Sequence, residues 1–307
     1  MPDYALLARE LSAALPGMEI RENEPMSGHC SFRIGGPARL MLLPSCAMEA
    51  GRALGILRAA GAAVLICGNC TNLLVPDEGY PGAVLCMSRP ASALELLDGG
   101  RVRALAGATL NALAVFAAAH SLAGLEFAHG IPGSVGGGCA MNAGAYGGEL
   151  ADVLESVEFV DLDGELKSLP VSELDMGYRH SAFSDTERLI TSAVFRLRPG
   201  DRAEIRSRMA ELIEKRRASQ PLELPSAGSA FKRPARGYAA AMIDAAGLKG
   251  LAVGGAMVSP KHAGFIVNTG GATCRDVVEL MREVRGRVFE REGVLLEPEV
   301  KLVGQGW

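Results

Sequence analysis

The chain has 307 residues, 49% of them apolar and 21% charged, with a formal net charge of −4 at pH 7. That length gives about two or three domains with real cores, in the composition range of a soluble globular enzyme. The negative balance excludes a broad footprint on a nucleic-acid backbone, and no apolar run reaches the length of a bilayer span. The opening residues, MPDYALLARELSAAL, are amphipathic and carry acids, unlike a secretion signal, so a cytoplasmic protein without membrane or nucleic-acid partners is expected. The seven cysteines, Cys30, Cys46, Cys67, Cys70, Cys86, Cys139 and Cys274, are scattered and read as reduced thiols. Cys67 and Cys70 match CxxC, but no second pair exists and no helix is predicted after Cys70. The pair reads as small residues flanking a turn, and no metal site is expected.

The predicted elements begin with a helix over 4–15 and an extended run over 18–24. Gly35-Gly36-Pro37 marks a turn, and a strand over 38–43 leaves it. A helix over 47–60 and a buried strand over 63–67 complete a βαβ-like unit. At the end of that strand, Gly68 and Asn69 suit a tight turn, while Thr71 and Asn72 offer a hydroxyl and an amide where open α/β sheets bind ligands. Short strands over 82–87, 93–97 and 102–106 suggest a second, more β-rich region. A helix over 110–120 follows, then strands over 155–161 and 189–197. A charged helix over 201–219 ends in Lys215, Arg216 and Arg217. These complement the negative helix end and leave room for a phosphate. PSAGSAFKRP reads as a loop, and 238–246 as a helix stopped by Gly247. Thr273 caps a helix running to Glu292, and GVLLEPEVKLVG reads as a terminal strand.

Between Gly124 and Glu149 lies GLEFAHGIPGSVGGGCAMNAGAYGGE, with nine glycines and no helix or strand period. Gly130, Gly133, Gly136, Gly137 and Gly138 suit a backbone that bends sharply or approaches something flat or anionic. A flexible linker would be rich in Ser and Lys and would lack Ile131, Val135, Met141 and Tyr146. The stretch reads as a ligand cradle. GxxxxGK[ST], a strand followed by GxGxxG, HExxH and GxSxG are all absent, which leaves nucleotide P-loop, Rossmann, zinc-protease and α/β-hydrolase sites unsupported. Ser229, Arg179 and Glu299 stand in apolar or glycine-rich settings. Together a serine, an arginine and a carboxyl can bind and protonate a carboxylate-bearing substrate. Singly they read as a turn serine, a surface ion-pair partner and an exposed strand residue, and spacing alone does not join them.

The stretches SFRIGGPA, GNCTNLLV, the glycine-rich cradle, YRHSAF, QPLELPSAGSAFKRP, AAGLKG, GGAMVSPKHAGFIVN and GVLLEPEV occur in order from Ser31 to Val300. On these motifs the chain resembles the UDP-N-acetylenolpyruvoylglucosamine reductase family. The resemblance implies an α+β protein: a vanillyl-alcohol-oxidase-type FAD-binding fold of two subdomains, 1–80 and 81–200, with a C-terminal α+β substrate-binding domain over 201–299. The strand over 300–307 is expected to return to the first subdomain. It also implies noncovalent FAD, NADPH as co-substrate and UDP-N-acetylglucosamine enolpyruvate as substrate, in a monomer or weak oligomer.

By the same resemblance, FAD contacts come from Arg33, Gly35 and Gly36; from Gly68, Asn69, Cys70, Thr71 and Asn72; and from Gly107. The cradle adds Gly130, Pro132, Gly133, Ser134, Gly136, Gly137, Asn142, Gly144 and Ala145. Hydride from flavin N5 is expected to reach the terminal carbon of the enolpyruvyl group. Ser229 is the expected proton donor, with Arg179 and Glu299 stabilising the enolate-like intermediate. Tyr178, Arg217, Lys232, Arg233 and His262 are expected substrate contacts. YRHSAF runs toward the next strand without an insertion, as in the shorter subclass that lacks a tyrosine-bearing loop. Three positions depart from the family: Cys30 for a common Thr, Cys70 for a common Gly, and Arg233 for a common Asn. Cys tolerates positive φ less well than Gly. Two rivals share the flavin fold: an oxidase with a flavin-linking histidine, for which His129 is the candidate, and an electron-carrying subunit, which would need clustered cysteines.

Overall fold

Asp3 opens the first helix, Tyr4–Ala14, its carboxylate accepting the N–H groups of Ala5 and Leu6 at 3.0 and 3.1 Å. The computed structural model describes residues 2–88 and 93–304. Residues 305–307 of the expected terminal strand therefore lie outside the described residues, as do 89–92. The chain divides into two compact units. The first comprises Met1–Asn23, Arg39–Asn69 and Gly82–Lys215, and the second Glu24–Ala38, Cys70–Pro81 and Arg216–Trp307.

In the first unit a four-stranded sheet runs in the order Glu19–Pro25, Pro37–Leu43, Tyr80–Cys86, Val64–Cys67. The strand–helix–strand order read from the sequence is present, with Tyr80–Cys86 inserted between its two strands and parallel to Val64–Cys67. Helices Tyr4–Ala14 and Ala47–Ala59 bury Leu7, Leu11, Leu54 and Leu57 against Leu40, Leu42 and Leu85. A five-stranded antiparallel sheet follows, ordered Leu166–Pro170, Leu154–Val160, Leu189–Arg196, Arg101–Leu105, Leu94–Leu97. Helix Leu110–Ala119 packs Leu113 and Ala117 with Val102, Val157 and Phe195. The edge strand Leu166–Pro170 is absent from the sequence reading. None of its residues is buried, so the apolar alternation that marks a strand is missing.

The glycine-rich stretch corrects the expectation of no regular structure. It contains a helix, Val135–Ala140, and a hairpin of Gly144–Ala145 with Gly148–Glu149. Glycine disfavours helix by about 1 kcal/mol per residue relative to alanine. Tertiary crowding overrides that here. A Cβ on Gly136 would stand 3.0 Å from Ala106 Cβ, and one on Gly138 3.0 Å from Leu150 Cδ1. Ser134 caps the helix by accepting the Gly137 N–H at 3.3 Å.

The second unit holds a four-stranded antiparallel sheet ordered Ser226–Ser229, Phe265–Asn268, Ala256–Val258, Ala252–Val253, with helices Ala239–Ala245 and Cys274–Glu292. Ser226–Ser229, read as loop from sequence, is a strand with an irregular register and Gly228 at φ +78. Residues 24–38 and 70–81 are sewn into this unit. Phe32, Ile34 and Leu74 join the core of Val258, Val277, Leu280 and Leu296. The buried Asn268 donates to Phe32 O at 3.1 Å and accepts from Gly270 N and Ala272 N at 2.9 and 3.2 Å. Leu73–Leu74 pairs in parallel with Lys301–Leu302. Among the described residues of the expected terminal strand, only that pair is regular; Pro298, which has no N–H, makes an isolated bridge to Phe231.

Thr273 and Asp276 form a capping box on the last long helix, and Asp77 adds a second cap, accepting from Cys274 N at 2.8 Å and Arg275 N at 3.2 Å. Burial, with Asp77 and Glu78 nearby, pushes the Cys274 thiol up to about 12, so it stays protonated. Asp77→Ala should lower the unfolding free energy by about 1 kcal/mol in urea titration. An unchanged midpoint would mean that the capping box alone holds this helix end.

Candidate active site

In the first unit a cleft of about 100 Å³ opens where strand Val64–Cys67 ends against the start of helix Val135–Ala140. Ile66, Met87, Phe183 and Ile190 give it apolar surface, Gly68, Gly136 and Gly137 bare main chain, and Ser134, Thr186 and Arg188 polar groups. The glycines divide by cause. Gly68 lies so near Ser134 that a Cβ would collide with its hydroxyl, which locks the strand end to the cradle. Gly130 and Gly133 take φ of +85 and +140, where the chain bends. Gly136 and Gly138 yield to their own chain, as described above. Gly137 differs: it is exposed where it lines the cleft, and a Cβ there would meet only the Ser134 hydroxyl, at 3.4 Å. Gly107 is buried between Ala106 and Ala108, whose carbonyls accept the N–H groups of Gly136 and Val135 at 2.9 and 2.7 Å.

Arg188 gives the cleft its cation. Its Nε donates to Asp161 Oδ1 at 2.9 Å, and Lys167 Nζ donates to the other carboxylate oxygen at 2.8 Å. The lysine hydrogen bond, the Leu162 N–H and Arg188 hold Asp161 down to about 2. Phe183 lies in the YRHSAF motif but was not singled out, and Thr186 and Arg188 escaped the sequence reading, the latter because its partner Asp161 lies 27 residues away. Cys139, on the glycine helix, is buried and its thiol is pushed up to about 12, which makes it inert. His129 Nδ1 is buried with no hydrogen-bond partner among the described residues.

Arg179 sits at the tip of a tight turn. Gly177 and His180 exchange backbone hydrogen bonds of 3.0 and 3.2 Å, with Arg179 between them at φ +55. Its guanidinium lies 5.0 Å from the Tyr178 ring centroid and donates to Gly144 O at 3.4 Å, on the cradle hairpin with Ala145. Asn142 is wholly buried, and its amide is engaged by Gly177 O and Ala151 N.

In the second unit the chain pairs the segment that follows Ser229 with the one that carries Glu299. Glu299 N donates to Ala230 O at 2.9 Å, and Lys232 N to Glu297 O at 2.8 Å. The bulged register at Gly228 re-aims Ser229 just before this contact. Asn72 holds the other side: its Nδ2 donates to Glu299 O at 3.0 Å, and its carbonyl accepts Lys301 N at 2.9 Å. Ser31 Oγ donates to Thr71 O at 3.4 Å and Ser226 O at 2.7 Å. Gly35 and Gly36 are crowded by Val75 and Asp77, so main-chain packing already requires them. His262 is half-buried. It stacks edge-on against Phe265 at 5.0 Å and accepts the Gly264 N–H on Nδ1, and burial lowers its pKa, which favours a neutral ring with its proton on Nε2. Lys232 Nζ reaches Glu297 at 3.5 Å, Arg233 stacks on Tyr238 at 4.3 Å, and Arg217 is exposed. Arg216 is buried and bonded to Gln220 at 3.1 Å.

Left-handed backbone at non-glycine residues costs roughly 1–2 kcal/mol each and gathers where function holds it. Here Arg33, Cys70, Asn142, Tyr146 and Arg179 all adopt it, within the segments singled out from sequence. Cys70 takes φ +48 even though a cysteine resists that region.

Residues 38–169 match the family described as FAD binding domain, and residues 220–303 match the one described as UDP-N-acetylenolpyruvoylglucosamine reductase, C-terminal domain. The UDP-N-acetylenolpyruvoylglucosamine reductase of Levilactobacillus brevis is 43% identical over 300 residues, covering 98% of each chain. The chain belongs to the UDP-N-acetylenolpyruvoylglucosamine reductase family. The reductase of Agathobacter rectalis is 44% identical over 308 residues, covering 97% of this chain and 98% of its own. The crystal structure of the Thermus caldophilus reductase aligns with a TM-score of 0.77 at 36% identity, over 93% of this chain and 99% of that one. An alkyldihydroxyacetonephosphate synthase, 16% identical with a TM-score of 0.50, shares the fold over 64% of this chain and 44% of its own. The protein is thus an FAD-dependent oxidoreductase that combines an FAD-binding domain with the C-terminal domain of the reductase family. The cleft fits part of that cofactor, with an apolar slot, a bare wall at Gly137 and a cation at Arg188. Among the described residues, no helix is long and apolar enough to cross a membrane, and no cluster of His, Cys, Asp or Glu is arranged to hold a metal ion.

Two glycines separate folding from binding. Gly68→Ala should destabilise the fold by about 2 kcal/mol or more, because its Cβ meets fixed atoms. Gly137→Ala should leave the melting temperature equal or higher while weakening FAD affinity, read by flavin fluorescence on adding FAD to apoprotein. Equal affinities for the Gly137 variant and the parent would remove the cleft from the cofactor site. A pH effect follows from Asp161. Its depressed pKa contributes stability above the unfolded value of about 3.9, and that contribution fades as pH falls toward 2. Asp161→Asn should therefore flatten the loss of stability between about pH 5 and 2 in urea titrations.

Proposed function

We propose that the protein reduces UDP-N-acetylglucosamine enolpyruvate to UDP-N-acetylmuramate at the expense of NADPH, a step of peptidoglycan precursor synthesis. The observation that carries this reading is the match of residues 220–303, which include Ser229 and Glu299, to the reductase C-terminal domain, within which the hydrogen bond from Glu299 N to Ala230 O, 2.9 Å long, joins the two segments that bear them. FAD, when bound, would supply the hydride chemistry, by which a hydride from NADPH reaches the terminal carbon of the enolpyruvyl alkene. Ser229 then gives its proton to the other alkene carbon and is reprotonated from solvent. An alcohol is a weak acid, so the transfer needs the basic, enolate-like charge that builds on the substrate. Arg179 binds the substrate carboxylate with its planar fork and stabilises that charge. A bare carboxylate beside an enolate would repel it, so Glu299 acts protonated or hydrogen-bonded.

Tyr178, Arg217, Lys232, Arg233 and neutral His262 contact the nucleotide. Arg33, Asn69, Pro132 and the glycines of the cradle contact the cofactor. Only Ser184–Arg188 separate YRHSAF from the strand Leu189–Arg196, which supports the shorter subclass. An oxidase with flavin linked through His129 is the second reading. The buried Nδ1, without a hydrogen-bond partner among the described residues, is the observation that favours it.

Ser229→Ala should keep FAD and still be bleached by NADPH, while steady-state turnover falls roughly 100- to 10,000-fold. Undiminished turnover would remove Ser229 from the chemistry. NADPH consumption should require the enolpyruvyl nucleotide, and acid precipitation should release the flavin. Flavin that stays with the pellet would favour the oxidase.

A further inference from the structure

Arg179 is held by both feet of its turn. On one side, Asn142 Nδ2 donates to Gly177 O at 3.0 Å, while Asn142 Oδ1 accepts Ala151 N at 3.0 Å. On the other, the buried Ser181 donates to Ala140 O at 2.9 Å, and Ser184 donates to the same carbonyl at 3.2 Å. Both anchors stand at the C-terminal end of the glycine helix Val135–Ala140. Between the feet, Arg179 sits at φ +55, and Asn142 itself at φ +41. A strained residue of this kind keeps its conformation only while its surroundings enforce it. Asn142 is 0% exposed and both ends of its amide are bonded within the protein, which corrects the expectation that its side chain contacts FAD.

We propose that Asn142 is a positioning residue for Arg179, clamping the Gly177 foot so that the guanidinium is presented in its strained pose. The proposal rests on the role given to Arg179 above. With the clamp gone, Arg179 relaxes toward negative φ and its fork leaves the productive position. A misplacement of about 1 Å can cost about 100-fold in rate. Retention of the cofactor and its reduction by NADPH do not depend on this turn, so the damage falls on the second half-reaction.

Two variants test this. Asn142→Gly suits the positive φ and removes both hydrogen bonds. Asn142→Asp keeps the acceptor for Ala151 and loses the donor to Gly177, and it decides the matter if the glycine variant fails to fold. Stopped-flow absorbance should show flavin content, flavin spectrum and reduction by NADPH unchanged in Asn142→Asp. Reoxidation by the enolpyruvyl nucleotide should slow about 10- to 100-fold. Adding Arg179→Ala to Asn142→Asp should slow it no further than Arg179→Ala alone, as expected when one residue acts through the other. Loss of FAD, normal reoxidation in Asn142→Asp, or slowing that multiplies with Arg179→Ala would each overturn the proposal. Normal reoxidation by Arg179→Ala itself would overturn the role of Arg179 and this inference with it. Slow Arg179→Ala beside normal Asn142 variants would overturn this inference alone.

Discussion

The first unit depends on how closely the helix Val135–Ala140 approaches its own sheet. Gly136 lies on Ala106, and Gly138 between Leu110 and Leu150, so close that a Cβ on either would force its neighbours to shift. The start of that helix forms one wall of the cleft, and its end carries the anchors of the Arg179 turn. One packing contact thus fixes the distance between a cofactor wall and a proposed catalytic group. A rigid element does this better than a loop, because its length is set by backbone geometry and not by side-chain rotamers.

The second unit solves a similar problem by threading. Glu299 is held on one side by Ala230 and on the other by Asn72, which comes from a segment more than two hundred residues earlier. Asp77 from the same segment caps a helix of this unit, and Asn268 ties in Phe32 from the other threaded segment. The segment that carries Glu299 therefore rests on hydrogen bonds between remote stretches, to the main chain of Ala230 and to the side chain of Asn72.

Much of this was legible in the sequence. Helix positions came from apolar spacing and caps, and Thr273 and Gly247 acted as read. The cradle was legible as a place but misjudged in structure, since glycine content argues against helix and says nothing of the Ala106 or Leu150 side chains that demand it. Cys70 shows the limit of composition: a departure from the family glycine keeps the left-handed backbone and absorbs the strain. Arg188 was invisible because its meaning comes from Asp161 and from the cleft. Leu166–Pro170 went unseen because an exposed edge strand lacks the burial pattern that signals strands.

The threading bears on how the protein is made. Residues 24–38 and 70–81 leave the ribosome well before residue 216, the start of the segment they pack with. Until then Phe32, Ile34 and Leu74 have no core to enter. Such long-range pairing slows folding and leaves apolar groups open to aggregation or to chaperones. The nascent chain must therefore hold these two loops in an unassembled state throughout most of translation.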